Sequence, residues 1–242
     1  VVISVSALAS LLILEDKALA TLPITALLLA SMCLTVPVSL CMGRFGRRIG
    51  FLLGTLAGAA GGMTSAYALI AGSFELLVLG TALTGVYQST QGYFRFAAAD
   101  TASEKFGPKA ISWVLAGGLV AAVIGAEIVR TTSDLFDPTP YAGAYASVVV
   151  LCLIGAILFF FLDIPTPPRR DACTSNTRPL GEILSQPTTL VAIVCAMVAY
   201  ALMTLVMTST SLAMDGHGFS TGQAADVVRW HVIAMFAPSF LT

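Results

Sequence analysis

Runs of about 20 apolar residues recur from one end of this 242-residue chain to the other, and no other feature limits its fold so strongly. A hydrocarbon core of ~30 Å needs about 20 residues of helix to cross it, and a water-soluble domain has nowhere to hide so many such runs. The runs cover approximately 1–13, 20–42, 50–72, 76–98, 109–129, 141–162, 188–213 and 224–242. The first is too short to span and the last stops without a polar cap, so six complete crossings are expected between them. Composition agrees: 57% of residues are hydrophobic and 10% charged, with a mean hydropathy of +0.90, whereas soluble domains carry about 25% charged residues. The expected fold class is all-α, a polytopic membrane helix bundle whose solvent is the lipid bilayer.

Charge orients the bundle. Between the second and third runs, Gly43-Arg44-Phe45-Gly46-Arg47-Arg48 sets three arginines in a glycine-bounded turn. Each arginine costs roughly 2.5–3.5 kcal/mol near the bilayer centre on the insertion scale, so the turn is expected to stay in the cytoplasm. Alternate loops then place Arg44, Arg47, Arg48, Lys105, Lys109, Arg169, Arg170 and Arg178 on that side and Lys17 and Arg130 on the other. The positive-inside rule makes this a cytoplasmic-membrane protein with loops 43–50, 99–109 and 163–187 cytoplasmic. The outer loops are short, so function is expected between the helices.

The longest polar stretch, 163–187, carries Pro165, Pro167, Pro168, Arg169 and Arg170 and reads as a linker. It divides a six-helix bundle at 1–162 from the start of a second bundle at 188–242. A faint repeat supports the division. Leu34 to Leu40 around Pro37 resembles Met235 to Leu241 around Pro238, an offset of 201 (238 minus 37) that also aligns the ends of the first and seventh runs. Parallel halves joined by such a linker are a known carrier plan. On that offset the first helix lacks about a dozen residues and four helices follow Thr242, so the chain, which has no initiator Met, is expected to be a piece of a longer protein.

Several classes fall away. The five cysteines form no C-x-x-C pair, so neither zinc nor a disulfide framework is indicated. No basic tract suggests nucleic acid, and no G-x-x-x-x-G-K-[ST] loop suggests ATP. Two histidines, His217 and His231, are too scattered for a catalytic centre, so no enzyme and no cofactor are expected. A membrane-embedded enzyme and a non-transporting receptor remain the rivals to a carrier.

The Arg44 turn resembles the D-R-x-G-R-R/K loop signature of the major facilitator superfamily: Arg44, Gly46, Arg47 and Arg48 match, with Gly43 at the acidic position. Gln91-Gly92 resembles a second motif of that family, and Ala98-Ala99-Asp100 with Lys109 resembles the acidic-then-basic approach to its fifth helix. Gly117, Gly118, Gly125 and Ala126 are similar to the glycine-rich fifth-helix motif of its exporters, with Ala126 in place of a proline. The resemblance implies a secondary carrier working by rocker-switch alternating access, in which Arg44, Gly46, Arg47 and Arg48 form a gating loop. Tyr93 to Ala98 and Trp230-His231 are similar to a bacterial branch that includes riboflavin importers. Exporter and vitamin-like importer both remain open.

In that family the fourth and seventh helices line the central cavity. Thr84, Gln88, Gln91 and Arg95, spaced four, three and four, share an arc of about 60° on the fourth helix. Tyr200, Thr204, Thr208 and Ser211 repeat the pattern on the seventh. Polar groups against lipid are costly, so both stripes are expected to face a cavity that holds a small polar solute. The competing reading is that the hydroxyls back-bond to their own helix and the glutamines bridge neighbours. Arg95 lies where it can snorkel or pair with Asp100 or Glu104. Glu127 and His231 are the candidates for proton coupling, although Arg130 stands three residues from Glu127 and suits an ordinary ion pair. Asp226 and Arg229 form a similar expected pair. Gly117, Gly118, Ala121, Ala122 and Gly125 are expected to let a neighbouring backbone approach closely.

Overall fold

The computed structural model describes residues 2–14, 19–103, 105–133, 135–162, 164 and 180–236, and helices are the regular elements found there. They are α1 (Val2–Ile13), α2 (Leu22–Phe45), α3 (Arg47–Ala71), α4 (Phe74–Gln91), α5 (Phe94–Thr101), α6 (Gly107–Thr132), α7 (Ala142–Phe161), α8 (Leu180–Leu184), α9 (Pro187–Gly216) and α10 (Thr221–Phe236). Among the described residues, α2, α3, α6, α7 and α9 are long and apolar enough to cross a membrane. They coincide with the second, third, fifth, sixth and seventh apolar runs.

The fourth run departs from expectation. Its helix does not continue to residue 98 but stops at Gln91, and a separate short helix begins at Phe94. The cause is local. Ser89 and Thr90 turn their hydroxyls back onto the carbonyls of Val86 and Tyr87 at 2.7 Å, which loosens the ladder just before Gly92. Tyr93 N–H then bonds the Thr90 carbonyl in a tighter turn, and its hydroxyl reaches the Thr35 carbonyl of α2 at 3.3 Å. Phe94 docks edge-on to Phe51 with centroids 4.8 Å apart, while Phe159 stands 5.2 Å from both rings. This aromatic cluster closes the end of the bundle that carries the arginine turn.

Within the bundle α4 is wrapped by α2 and α3, and α3 also packs on α7. Small residues make this possible. A Cβ on Gly61 of α3 would lie 2.6 Å from the Gly80 carbonyl oxygen, and one on Gly85 of α4 would lie 2.4 Å from that of Leu27. Only hydrogen atoms fit there, so the backbones approach closely. The wrapping also explains how α4 tolerates Thr81, Thr84, Ser89 and Thr90, all buried by protein and not facing lipid. At the opposite end, Val5, Leu77, Val129, Tyr145 and Ala225 join α1, α4, α6, α7 and α10 in one core. The Ser6 hydroxyl donates to the Val2 carbonyl at 2.7 Å, which leaves Tyr145 to donate to Ser6 across 2.8 Å.

Outer faces are apolar and uncovered. Met32, Val36 and Leu40 of α2 and Met63, Tyr67 and Ile70 of α3 are each more than 60% exposed. A water-soluble protein rarely shows such continuous patches, whereas lipid tails accept them without cost. Further along the chain, α9 packs on α1 and α10 packs on α6. Most of the expected linker, residue 163 and 165–179, and the repeat's Pro238 lie outside the described residues; α8 falls at the linker's end, and Pro37 lies inside α2.

Candidate functional site

A cavity of about 660 Å³ opens between α4, α6, α7 and α10, with α1, α2 and α9 at its edges. That volume falls within the ~300–1,000 Å³ usual for small-molecule sites. On α4, helical spacing brings Thr84, Gln88 and Gln91 to one face, and all three line the cavity. Thr84 is buried and donates to the Gly80 carbonyl at 3.0 Å, so its hydroxyl keeps only acceptor capacity for a ligand. Gln88 is half-buried and Gln91 exposed, which grades the wall from deep to open. Tyr87 sits beside this stripe and faces Cys152 of α7 in the same lining.

Gly117, Gly118, Ala121, Gly125 and Ala126 of α6 form the facing wall. Expectation is corrected here: a Cβ built on Gly117 or Gly125 would meet nothing within 4 Å. These glycines admit no neighbouring backbone; they leave a flat, open, apolar surface. The packing of α6 against α10 lies nearer its end, where a Cβ on Gly222 of α10 would lie 3.2 Å from Cδ of the Arg130 stem. Ala225, Val228, Arg229 and Val232 of α10 and Met207 of α9 complete the enclosure. Arg229 is the charged residue of the lining, and its Nη2 donates to Asp226 Oδ1 at 3.0 Å.

Comparison with known proteins decides the family. The model of the Major Facilitator Superfamily matches residues 2–241, nearly the entire chain. The chain belongs to the major facilitator superfamily. Among curated relatives it is similar to the riboflavin transporter RfnT of Brucella anthropi, 42% identical over the whole of this chain and 61% of that protein. It is also similar to the uncharacterized MFS-type transporters YddS and YdeG of Bacillus subtilis. Identity to YddS is 29% over 82% of the chain and 49% of the relative; to YdeG it is 25% over 99% and 59%. The chain thus spans about half to three fifths of the length of these relatives. No solved structure matches it. Like other members of the superfamily it is a multi-pass membrane protein with an all-α bundle.

As a superfamily member the chain can be checked against each expected site residue. Thr84, Gln88 and Gln91 are brought together at the cavity. Arg95 is not, because the break at Gly92 and Tyr93 moves it onto α5, where it is exposed and its guanidinium carbon lies 5.1 Å from the Phe96 ring centroid. On α9 only Met207 joins the lining; Tyr200 is exposed, and Thr204 donates back to its carbonyl at 2.9 Å. Thr208 and Ser211 are buried instead on the face where α9 packs, Ser211 back-bonding to Met207 at 3.2 Å and Thr208 Oγ1 lacking a partner among the described residues. Glu127 accepts from Arg130 at 3.0 Å, and both side chains are about half exposed. His231 is half-buried and outside the lining.

The arginine turn is tied to α5 and α7. Gly46 has φ 92° and ψ 154°, a conformation open essentially to glycine alone, and this lets α2 pass directly into α3. Arg47 forms an ion pair with Asp100 at the end of α5, so the acid that Gly43 lacks is supplied from elsewhere. Arg48 donates to the Phe160 carbonyl and lies over the Phe160 ring, which ties the turn to α7. Arg44 stays at the surface, 5.5 Å from the Phe45 ring centroid. Sequence reasoning missed Tyr87, Cys152, Arg229 and the α6 wall as lining. The glycines were visible in the sequence, but their direction was not.

Proposed function

We propose that the chain is the larger part of a secondary carrier that moves a flavin-type solute, riboflavin above all, by rocker-switch alternating access. The cavity carries this reading. Its α4 wall offers amides that both donate and accept and a Thr84 hydroxyl that accepts, and its α6 wall is flat and apolar. A solute with a planar ring and a hydroxylated chain meets both requirements. The likeness to a riboflavin transporter supports the same solute.

In this reading 1–162 is the first bundle, 163–187 the linker and 188–242 the start of the second, so that α1 with α9 and α6 with α10 are contacts between halves. The protein lies in the cytoplasmic membrane with 43–50, 99–109 and 163–187 in the cytoplasm. The half-exposed Glu127–Arg130 pair supports a structural role for Glu127, and His231 is the group left for proton coupling.

The test is entrance counterflow. Full-length protein in proteoliposomes preloaded with unlabelled riboflavin is expected to accumulate labelled riboflavin transiently, and Gln88→Ala with Gln91→Ala is expected to weaken this at least tenfold. Saturable binding without accumulation supports a receptor and overturns the carrier. Absence of both overturns the flavin assignment.

A further inference from the structure

We propose that Arg229 is a solute-contacting group on the second-bundle side of the cavity, and that Asp226 positions it; the proposal rests on the flavin-carrier reading above. An alternating-access carrier must sense its solute from both halves, or binding cannot bias the two states differently. The second-half residues that line the cavity are Met207, Ala225, Val228, Arg229 and Val232. Four are apolar, so among the described residues of this side Arg229 is the one that can offer a polar contact.

Its place fits the role. α10 begins beside the end of α6: Ala225 shares a core with Val129, and a Cβ on Gly222 would lie 3.2 Å from Arg130 Cδ. Val228, Arg229 and Val232 further along α10 line the same cavity as Gly117 to Ala126 of α6, and Arg229 lies seven residues past Gly222, about 10 Å by helical rise. That brings Arg229 level with the middle of the open α6 wall. Nη2 donates to Asp226 Oδ1 on the same helix, and the guanidinium carbon lies 5.8 Å from the Trp230 ring centroid. The side chain is three-quarters buried, and among the described residues the other guanidinium N–H groups have no hydrogen-bond partner. Asp226 itself is not part of the lining, so it fixes the head group from behind.

A guanidinium fork donates two parallel hydrogen bonds and accepts none. It therefore selects a rigid pair of adjacent acceptors. The flavin ring offers two such pairs, N1 with the C2 carbonyl and N5 with the C4 carbonyl. The amides of Gln88 and Gln91, which accept as well as donate, are left to the hydroxylated chain. The inferred pose lays the ring on the α6 glycines, with its acceptor edge towards α10 and its chain towards α4.

The experiment measures initial uptake by the full-length carrier in proteoliposomes for riboflavin, 1-deazariboflavin and 5-deazariboflavin. In the unaltered protein one deaza analogue is expected to show a KM about tenfold above riboflavin. In Arg229→Gln the KM for riboflavin is expected to rise at least tenfold, with Vmax within about twofold, and the difference between riboflavin and that analogue to vanish. Arg229→Lys, which keeps the charge without the fork, is expected to recover only part of the loss, and Asp226→Asn to raise KM less than Arg229→Gln does. An unchanged KM in Arg229→Gln, or a raised KM with the analogue difference intact, overturns the proposal while leaving the flavin reading standing. No riboflavin uptake by the unaltered protein overturns both.

Discussion

Arg47 and Asp100 form an ion pair that joins the α2–α3 turn to the end of α5. The two residues stand 53 positions apart (100 minus 47), and the pair bridges segments that the helix break at Gly92 and Tyr93 makes independent. The Asp100 side chain is 60% exposed, so the pair adds little to stability. On the proposed carrier reading, its part is to hold one arrangement of the loop. Asp100→Asn and Arg47→Gln are each expected to lower Vmax for uptake several-fold with KM within twofold and with the unfolding temperature shifted by only a few degrees. Kinetics in proteoliposomes and a thermal melt of the full-length protein check this; a large KM change with unaltered Vmax contradicts a gating role.

The glycines of α3 and α6 separate packing from cavity. Gly117→Ala and Gly125→Ala place a methyl where nothing lies within 4 Å, so they are expected to preserve or raise stability by up to ~1 kcal/mol through helix propensity. Gly117→Val is expected to keep the fold and lose riboflavin affinity at least tenfold, because the branched side chain fills the slot. Gly61→Ala puts a methyl 2.6 Å from the Gly80 carbonyl oxygen and is expected to cost about 1–3 kcal/mol. Thermal melts paired with a riboflavin binding isotherm distinguish the two classes. Equal damage to the fold from both contradicts the assignment of the α6 face.

Thr208 and Gln91 were equivalent by helical spacing and are not equivalent in space. Thr208 Oγ1 is buried without a partner among the described residues, and a buried hydroxyl in that condition costs about 1–3 kcal/mol. Thr208→Val, which keeps the shape and removes the orphan, is expected to leave uptake within twofold and to raise the melting temperature. Gln91→Ala is expected to raise the KM for riboflavin severalfold at unchanged stability. Loss of uptake in Thr208→Val moves the cavity boundary past Met207 to include Thr208.

How far the sequence carries can be seen in α4. Its apolar run and polar stripe were legible because both depend on period and composition alone, and Thr84, Gln88 and Gln91 do face one cavity. Arg95 extended the same period on paper. It failed because Ser89 and Thr90 turn their hydroxyls back onto the backbone and Phe94 finds Phe51 and Phe159, contacts that lie 43 and 65 residues away (94 minus 51, 159 minus 94) and leave no local pattern. The Glu127–Arg130 and Asp226–Arg229 pairs were readable from i,i+3 spacing. That Arg229 borders a cavity while Arg130 packs on Gly222 was not, since the direction of a side chain depends on which helix stands opposite. The glycine stripe of α6 shows the same limit: smallness permits close packing or an open wall, and only the neighbour decides.

The central claim is that the space between the α4 stripe and the α6 glycines holds the solute. Solute protection of a cysteine placed on that wall tests it most directly. In full-length protein with its native cysteines replaced, Gly117→Cys is labelled with a maleimide with and without riboflavin, beside Leu135→Cys, which is exposed in the turn after the same helix and outside the cavity lining. Riboflavin is expected to slow labelling at position 117 at least tenfold and to leave position 135 unaffected. Equal labelling at 117 with and without saturating riboflavin, in protein shown to bind it, would place the solute elsewhere and contradict the account.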